Sequence, residues 1–368
     1  MPWQATAAAA SFFTCWLAIV ALRPLAIAVD LVDRPGGRKI HHGDVPVVGG
    51  LAMFLGVVLG VGLLPLPGAS SAAFLAACAI LVTVGLVDDR FDLSPWTRLP
   101  GQIAAAVVLI VGSGTMVVTL GDPFGTGPIN FSQLGAVAFT IFIVISAINA
   151  FNMLDGMDGL AGTVALTSLL AVAYVSYTAG LPLPLTISLV MIGAVCAFLF
   201  FNVPLRASAR AECFMGDAGS TLLGFCVAWL LIQISQGASR PVTAVTTLWF
   251  VALPLYELVW STIRRVIRGV SPFKADADHF HHLLLKAGFG TRGAFTVFAT
   301  LTCVLAAVGL LCRHYQLPDR ISLLLLAVFG CVTIRLMYRA RLLWALVPES
   351  IRRGRGRAVD TSLDEASP

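Results

Sequence analysis

Paired carboxylates at the end of an apolar run are the first chemistry visible in the sequence. In V-D-D-R-F-D-L-S, Asp88 and Asp89 close a long apolar stretch and Asp92 follows about one helical turn later. Adjacent acids repel, and a metal ion, a neighbouring cation or a raised pKa would relieve that repulsion, whereas capping of a helix end accounts for one of them at most. A second segment, N-A-F-N-M-L-D-G-M-D-G-L-A-G over 149–162, sets Asp155 and Asp158 three residues apart, so that both can face one site beside Asn152. Plain Asp-Gly turns exist, but a turn does not need two Asn, two Asp and three Gly between long apolar spans. A third, F-M-G-D-A-G-S-T-L-L-G, places Asp217 just before a helix with Gly and Ser in its first turn, an arrangement that suits a metal-bound phosphate. An N-cap Asp would read the same way taken alone.

Cations and imidazoles supply the opposite charge. D-R-P-G-G-R-K-I-H-H-G-D-V-P-V-V-G-G over 33–50 brings Arg38, Lys39 and His41 together with paired glycines, where backbone amides and cations could receive phosphate. S-P-F-K-A-D-A-D-H-F-H-H-L over 271–283 holds His279, His281 and His282, half of the six histidines. No Cys accompanies them, and the carboxylate-rich loops favour a hard cation such as Mg²⁺ over a transition metal, leaving these histidines to bind phosphate by hydrogen bonds.

Such segments need a scaffold, and composition says which. Of 368 residues, 58% are hydrophobic and 12% charged, with mean hydropathy +0.90; a water-soluble globular domain carries about twice that charged share. Apolar runs centred near Leu17, Leu55, Ile80, Leu109, Ile141, Leu169, Ile192, Val227, Phe250, Leu305 and Leu325 predict an all-α, polytopic membrane protein of about eleven helices. The eight cysteines form no C-x-x-C pair and mostly lie inside those runs as small apolar side chains.

Polar breaks alternate sides. One set, with the C-terminal tail, carries 20 of the 24 Lys and Arg; the other carries Arg240, Arg313 and Arg320, and Arg23 lies within the first run. The excess of basic residues predicts that the first set is cytoplasmic, with the N-terminus outside and the C-terminus inside. Acids that contribute little to topology nevertheless crowd the same side, which implies one polar centre there. Residues 1–345 are expected to form a single membrane domain with active-site loops near 30–50, 87–99, 149–160, 202–219 and 263–293. Residues 346–368, Arg-rich and then acidic, read as a disordered tail contacting anionic lipid headgroups.

Together, in this order, the five segments resemble the polyprenyl-phosphate N-acetylhexosamine-1-phosphate transferases. The H-x-H-H loop, the S-P-F before it and F-M-G-D-A-G-S-T resemble the bacterial UDP-GlcNAc branch. The resemblance implies transfer of GlcNAc-1-phosphate from UDP-GlcNAc to undecaprenyl phosphate in the bacterial inner membrane, with release of UMP, as the first sugar of a cell-surface polysaccharide. It implies Mg²⁺, with Mn²⁺ as a substitute, held by Asp217. It implies Asp88 and Asp89 near the acceptor phosphate, Asn152, Asp155 and Asp158 in the donor site, and the histidines at the donor pyrophosphate. Two positions depart from the pattern: Ala277 stands where relatives usually carry Arg, and Glu257 where an Asp is common. Another UDP-N-acetylhexosamine, a homodimer, and direct attack with Asp88 or Asp89 taking the acceptor's proton or a phosphoryl-aspartate intermediate stay open, and no nucleic-acid partner is expected. An ion-coupled transporter is the alternative from another class, but its acids belong near the bilayer midplane between inverted repeats.

Overall fold

The computed structural model describes residues 2–34, 44–64, 68–203, 211–237, 240–271 and 279–339. In lipid every backbone N–H must find an internal partner, so long apolar runs become helices. They are α1 (Pro2–Ala28), α2 (Gly49–Gly62), α3 (Ala69–Phe91), α4 (Pro95–Ser113), α5 (Gln133–Leu154), α6 (Leu160–Thr178), α7 (Pro182–Asn202), α8 (Gly216–Ser235), α9 (Ala244–Thr247), α10 (Ala252–Ile267), α11 (Phe280–Lys286), α12 (Thr291–His314) and α13 (Asp319–Tyr338), with a 3₁₀ turn at Leu248–Val251 joining α9 to α10. A two-residue strand β1 (Val32–Asp33) pairs antiparallel with β2 (Val45–Pro46). Ser94 and Ser132 cap α4 and α5, accepting from Thr97 N and Gly135 N at 3.3 Å each.

All eleven expected centres fall on helices or on the turn joining α9 to α10, and among the described residues ten spans are long and apolar enough to cross a membrane: this is a multi-pass membrane protein. The eleventh, α2, has 14 residues, a rise of about 21 Å and so short of the hydrocarbon thickness. The first run is one helix: α1 continues through Arg23 and Pro24, and Arg23 pairs with Glu212 at 2.6 Å. Residues 346–368 lie outside the described residues.

At the centre stands α8, 94% of whose membrane window is buried inside the protein, against 22% for α1 and 33% for α5 and α12. Phe74 of α3 stacks on Trp229 of α8 with ring centroids 4.6 Å apart. Between helices in lipid, close backbone approach replaces hydrophobic expulsion as the means of association. Gly50 of α2 meets the backbone of Ala218 and Gly219, and Gly85 of α3 that of Asp217 and Ala218, so closely that neither place admits a Cβ.

The two sets of polar breaks gather at opposite poles. At one, Gln236 Oε1 accepts from Val118 N and Thr119 N, Asp319 Oδ2 accepts from Asp122 N, and Arg313 donates to Pro241 O and Thr178 Oγ1. The acidic motifs meet at the other.

Candidate active site

The amino end of α8 organises the motif pole. Residues 44–50 run beside the segment that leads into α8: Phe214 N donates to Pro46 O, and Gly49 N and Gly50 N donate to Phe214 O and Met215 O. Gly216 then turns the chain into the helix with φ +66, in the left-handed region that a side chain disfavours, and a Cβ there would strike the Asp89 carboxylate. That carboxylate takes the role of a helix cap from another element: Oδ1 accepts from Asp217 N at 2.7 Å and Oδ2 from Ala218 N at 3.3 Å. Its negative charge sits against the positive end of α8.

Asp88, one residue earlier on α3, faces elsewhere. It is 4% exposed. Its Oδ1 accepts from Leu93 N at 2.7 Å, and its Oδ2 accepts from Arg98 Nη1 at 2.6 Å. The same guanidinium nitrogen lies 3.0 Å from Asp217 Oδ2. Asn152, at the end of α5, donates to Asp217 Oδ1 and, at 3.1 Å, to Ser220 Oγ. Asp88, Asp217 and Asn152 are thus one connected group, with Arg98 as the bridge. Sequence reasoning counted Arg98 only toward topology; its spacing to Asp88 and Asp217, 10 and 119 residues, carries no periodic signal.

Asp155 begins the turn after α5. Burial first, and then the charges of Asp217, Asp89, Asp158 and Asp33, raise its carboxyl well above the ordinary range. Five carboxyls from four separate segments therefore share one field. The turn is tied down from α7, where Asn202 accepts from Gly159 N at 2.6 Å and donates to Cys213 O at 2.9 Å.

The histidine segment closes over this turn. His281 is 2% exposed, and neither ring nitrogen has a hydrogen-bond partner among the described residues. Burial, with His282 and His279 adding to it, lowers its pKa to about 3, so the ring is neutral near pH 7. It lies against Gly156: a Cβ there would come within 2.5 Å of His281 Nε2. His282 packs on His281 with centroids 4.1 Å apart. Arg38, Lys39 and His41 lie outside the described residues.

Does this donor set suit Mg²⁺? A cationic nitrogen within 3.0 Å of oxygens from both Asp88 and Asp217 marks a position that demands positive charge. Carboxylate oxygens are the hard donors Mg²⁺ takes, and it commonly uses one or two of them, completing its shell with water and phosphate. Among the described residues no group of three or more His, Cys, Asp or Glu stands ready as a complete cage. The set fits.

Comparison with known proteins bears on the same helices. A family model described as glycosyl transferase family 4 matches residues 71–235, from α3 to the end of α8. The chain is 34% identical over 339 residues to the undecaprenyl-phosphate alpha-N-acetylglucosaminyl 1-phosphate transferase of Escherichia coli (strain K12), covering 91% of this chain and 92% of that one. To the protein of the same name from Haemophilus influenzae it is 35% identical over 313 residues, 84% and 87% of the two chains. To that from Yersinia pestis it is 37% identical over 289 residues, 78% and 79%.

Proposed function

Because the chain belongs to glycosyl transferase family 4, alongside the undecaprenyl-phosphate alpha-N-acetylglucosaminyl 1-phosphate transferases, we propose that it moves GlcNAc-1-phosphate from UDP-GlcNAc to undecaprenyl phosphate and releases UMP. The observation that carries this reading is the joining of Asp88, Asp217 and Asn152 around one cationic position at the amino end of the central helix. We place this pole at the cytoplasmic face of a bacterial inner membrane, on the basic-residue excess, where a water-soluble nucleotide sugar and a membrane-held acceptor can meet.

Both reactants are anionic, so the first barrier is their mutual repulsion. Mg²⁺, held by Asp217 with Asp88 beside it, would supply charge neutralisation and Lewis acidity at the donor diphosphate. The protein's own groups divide the remaining work. Asp89 spends both oxygens on backbone amides, which keeps Asp217 at the head of α8 in register. Asn152 orients the Asp217 carboxylate. Asp155, whose surroundings favour the protonated form, is the carboxyl suited to exchange a proton with the reactants. Neutral His281 offers one N–H to a phosphate oxygen without adding charge. The acids stand at helix ends, not mid-span, which disfavours the transporter alternative.

Purified protein incubated with labelled UDP-GlcNAc, undecaprenyl phosphate and Mg²⁺ tests the reading. Labelled lipid and UMP in equal amounts are expected. Uptake of donor or cation into vesicles without a labelled lipid product would overturn it.

A further inference from the structure

One buried acid takes no part in the carboxylate cluster. Glu257, on α10, is 0% exposed, and both its oxygens are turned onto the histidine segment. Oε1 lies 2.8 Å from His279 Nδ1, and Oε2 accepts from Phe280 N at 2.9 Å. Ser261, one turn further along α10, donates to Oε1 at 3.3 Å. Burying a carboxylate is costly unless its oxygens are matched by donors, and here the match is made by the segment that packs against Gly156.

From this we infer that Glu257 is a positioning residue, the clamp that docks the histidine segment on α10 and selects which nitrogen of His279 meets the reactants. An ionised carboxylate only accepts, so Nδ1 carries the proton and Nε2 is the nitrogen left for the site. Outer-shell carboxylates act on histidine in this way at metal centres, fixing tautomer and ring plane together. The second oxygen, on Phe280 N, holds the backbone just before His281 and His282, so one side chain sets the position of all three rings. The inference rests on the reading that this segment contacts the nucleotide-sugar donor.

Glu257→Gln separates the clamp from simple packing, since the amide has nearly the same volume but presents one acceptor and one donor. Its NH₂ facing Nδ1 would reverse the tautomer. Steady-state kinetics should show the KM for UDP-GlcNAc rising about tenfold or more, in the range typical of lost outer-shell partners, with the KM for undecaprenyl phosphate within about twofold of wild type. Glu257→Asp, which keeps two acceptor oxygens, should recover most of the donor KM. Nitrogen NMR of protein labelled at its six histidines, with His279 assigned by His279→Asn, reads the tautomer directly and needs no turnover. Wild type should show a protonated Nδ1 at His279, and Glu257→Gln should lose that signature. An unchanged tautomer in Glu257→Gln, equal rises in both KM values, or Glu257→Asp as impaired as Glu257→Gln would each overturn the inference. If wild type produces no lipid-linked sugar, the proposed reaction fails while the tautomer result still decides the clamp.

Discussion

The two poles of this protein use polar residues in opposite ways. Far from the motifs, Gln236 applies its oxygen to Val118 N and Thr119 N and its nitrogen to Thr119 O, closing one short backbone segment on itself. Asp122 accepts from Gly127 N within its own loop. These groups are matched donor to acceptor, as a purely structural network must be. At the motif pole like charges crowd together: Asp217, Asp89, Asp158 and Asp33 all act on the Asp155 carboxyl, and His281 is buried with both nitrogens unengaged among the described residues. A site that handles charged reactants keeps such an excess of like charge for them to complete.

Substitutions at the two poles should therefore separate activity from stability. The largest effect on turnover is expected from Asp217→Asn, which weakens the cation position while keeping side-chain size: kcat should fall at least about 100-fold, in keeping with loss of a charge-stabilising group, with thermal unfolding little changed. Retention of Mg²⁺-dependent turnover would remove Asp217 from the site.

Asp155→Asn should expose the cost of the excess. A carboxyl whose pKa is raised in the folded state contributes stability that is fully present below its unfolded value of about 3.9 and is lost as pH climbs to its raised value. Without divalent cation, wild type should lose thermal stability as pH rises from about 4 toward neutrality. The Asn variant should lose less, while its activity falls about tenfold or more. Parallel melting curves across pH for the two proteins would contradict the charge crowding argued here.

Gly156→Ala should act more locally. Because His281 is buried, the added methyl cannot be avoided by swinging the ring into solvent, and donor affinity should drop about tenfold for a displacement near 1 Å. Isothermal titration with UDP-GlcNAc measures it. The smallest effect on catalysis belongs to Gln236→Ala, expected to stay within about twofold of wild-type turnover while costing about 1 kcal/mol of stability through unpaired backbone groups. A tenfold loss of activity there would break the contrast between the poles.

Much of this was legible beforehand. Run length alone located the ten membrane-length spans found among the described residues, and the shorter α2, since a bilayer imposes length and continuity, and the polar breaks sorted themselves into the two poles that the folded chain forms. The carboxylates Asp88, Asp89, Asp155, Asp158 and Asp217 were visible as candidates because acids at membrane edges need a reason. Their division of labour was not visible. Adjacent in sequence, Asp88 and Asp89 looked like one pair, but successive positions on a helix point about 100° apart, and the two serve different neighbours: Arg98 and Asp217 for one, the head of α8 for the other.

The sequence by itself determined the solvent this chain folds in, the helices it forms and the end of the molecule where its charges collect, because each depends on composition and period within a single segment. Only the tertiary structure decided that Arg98 bridges Asp88 and Asp217, that Asp89 caps a helix not its own, and that Glu257 holds His279. Those pairings join residues 10 to 128 positions apart. They arise from which helix faces meet, a matter settled by close contacts such as Gly50 on Gly219 and Gly85 on Ala218, where the absence of a side chain is what lets the carboxylates converge.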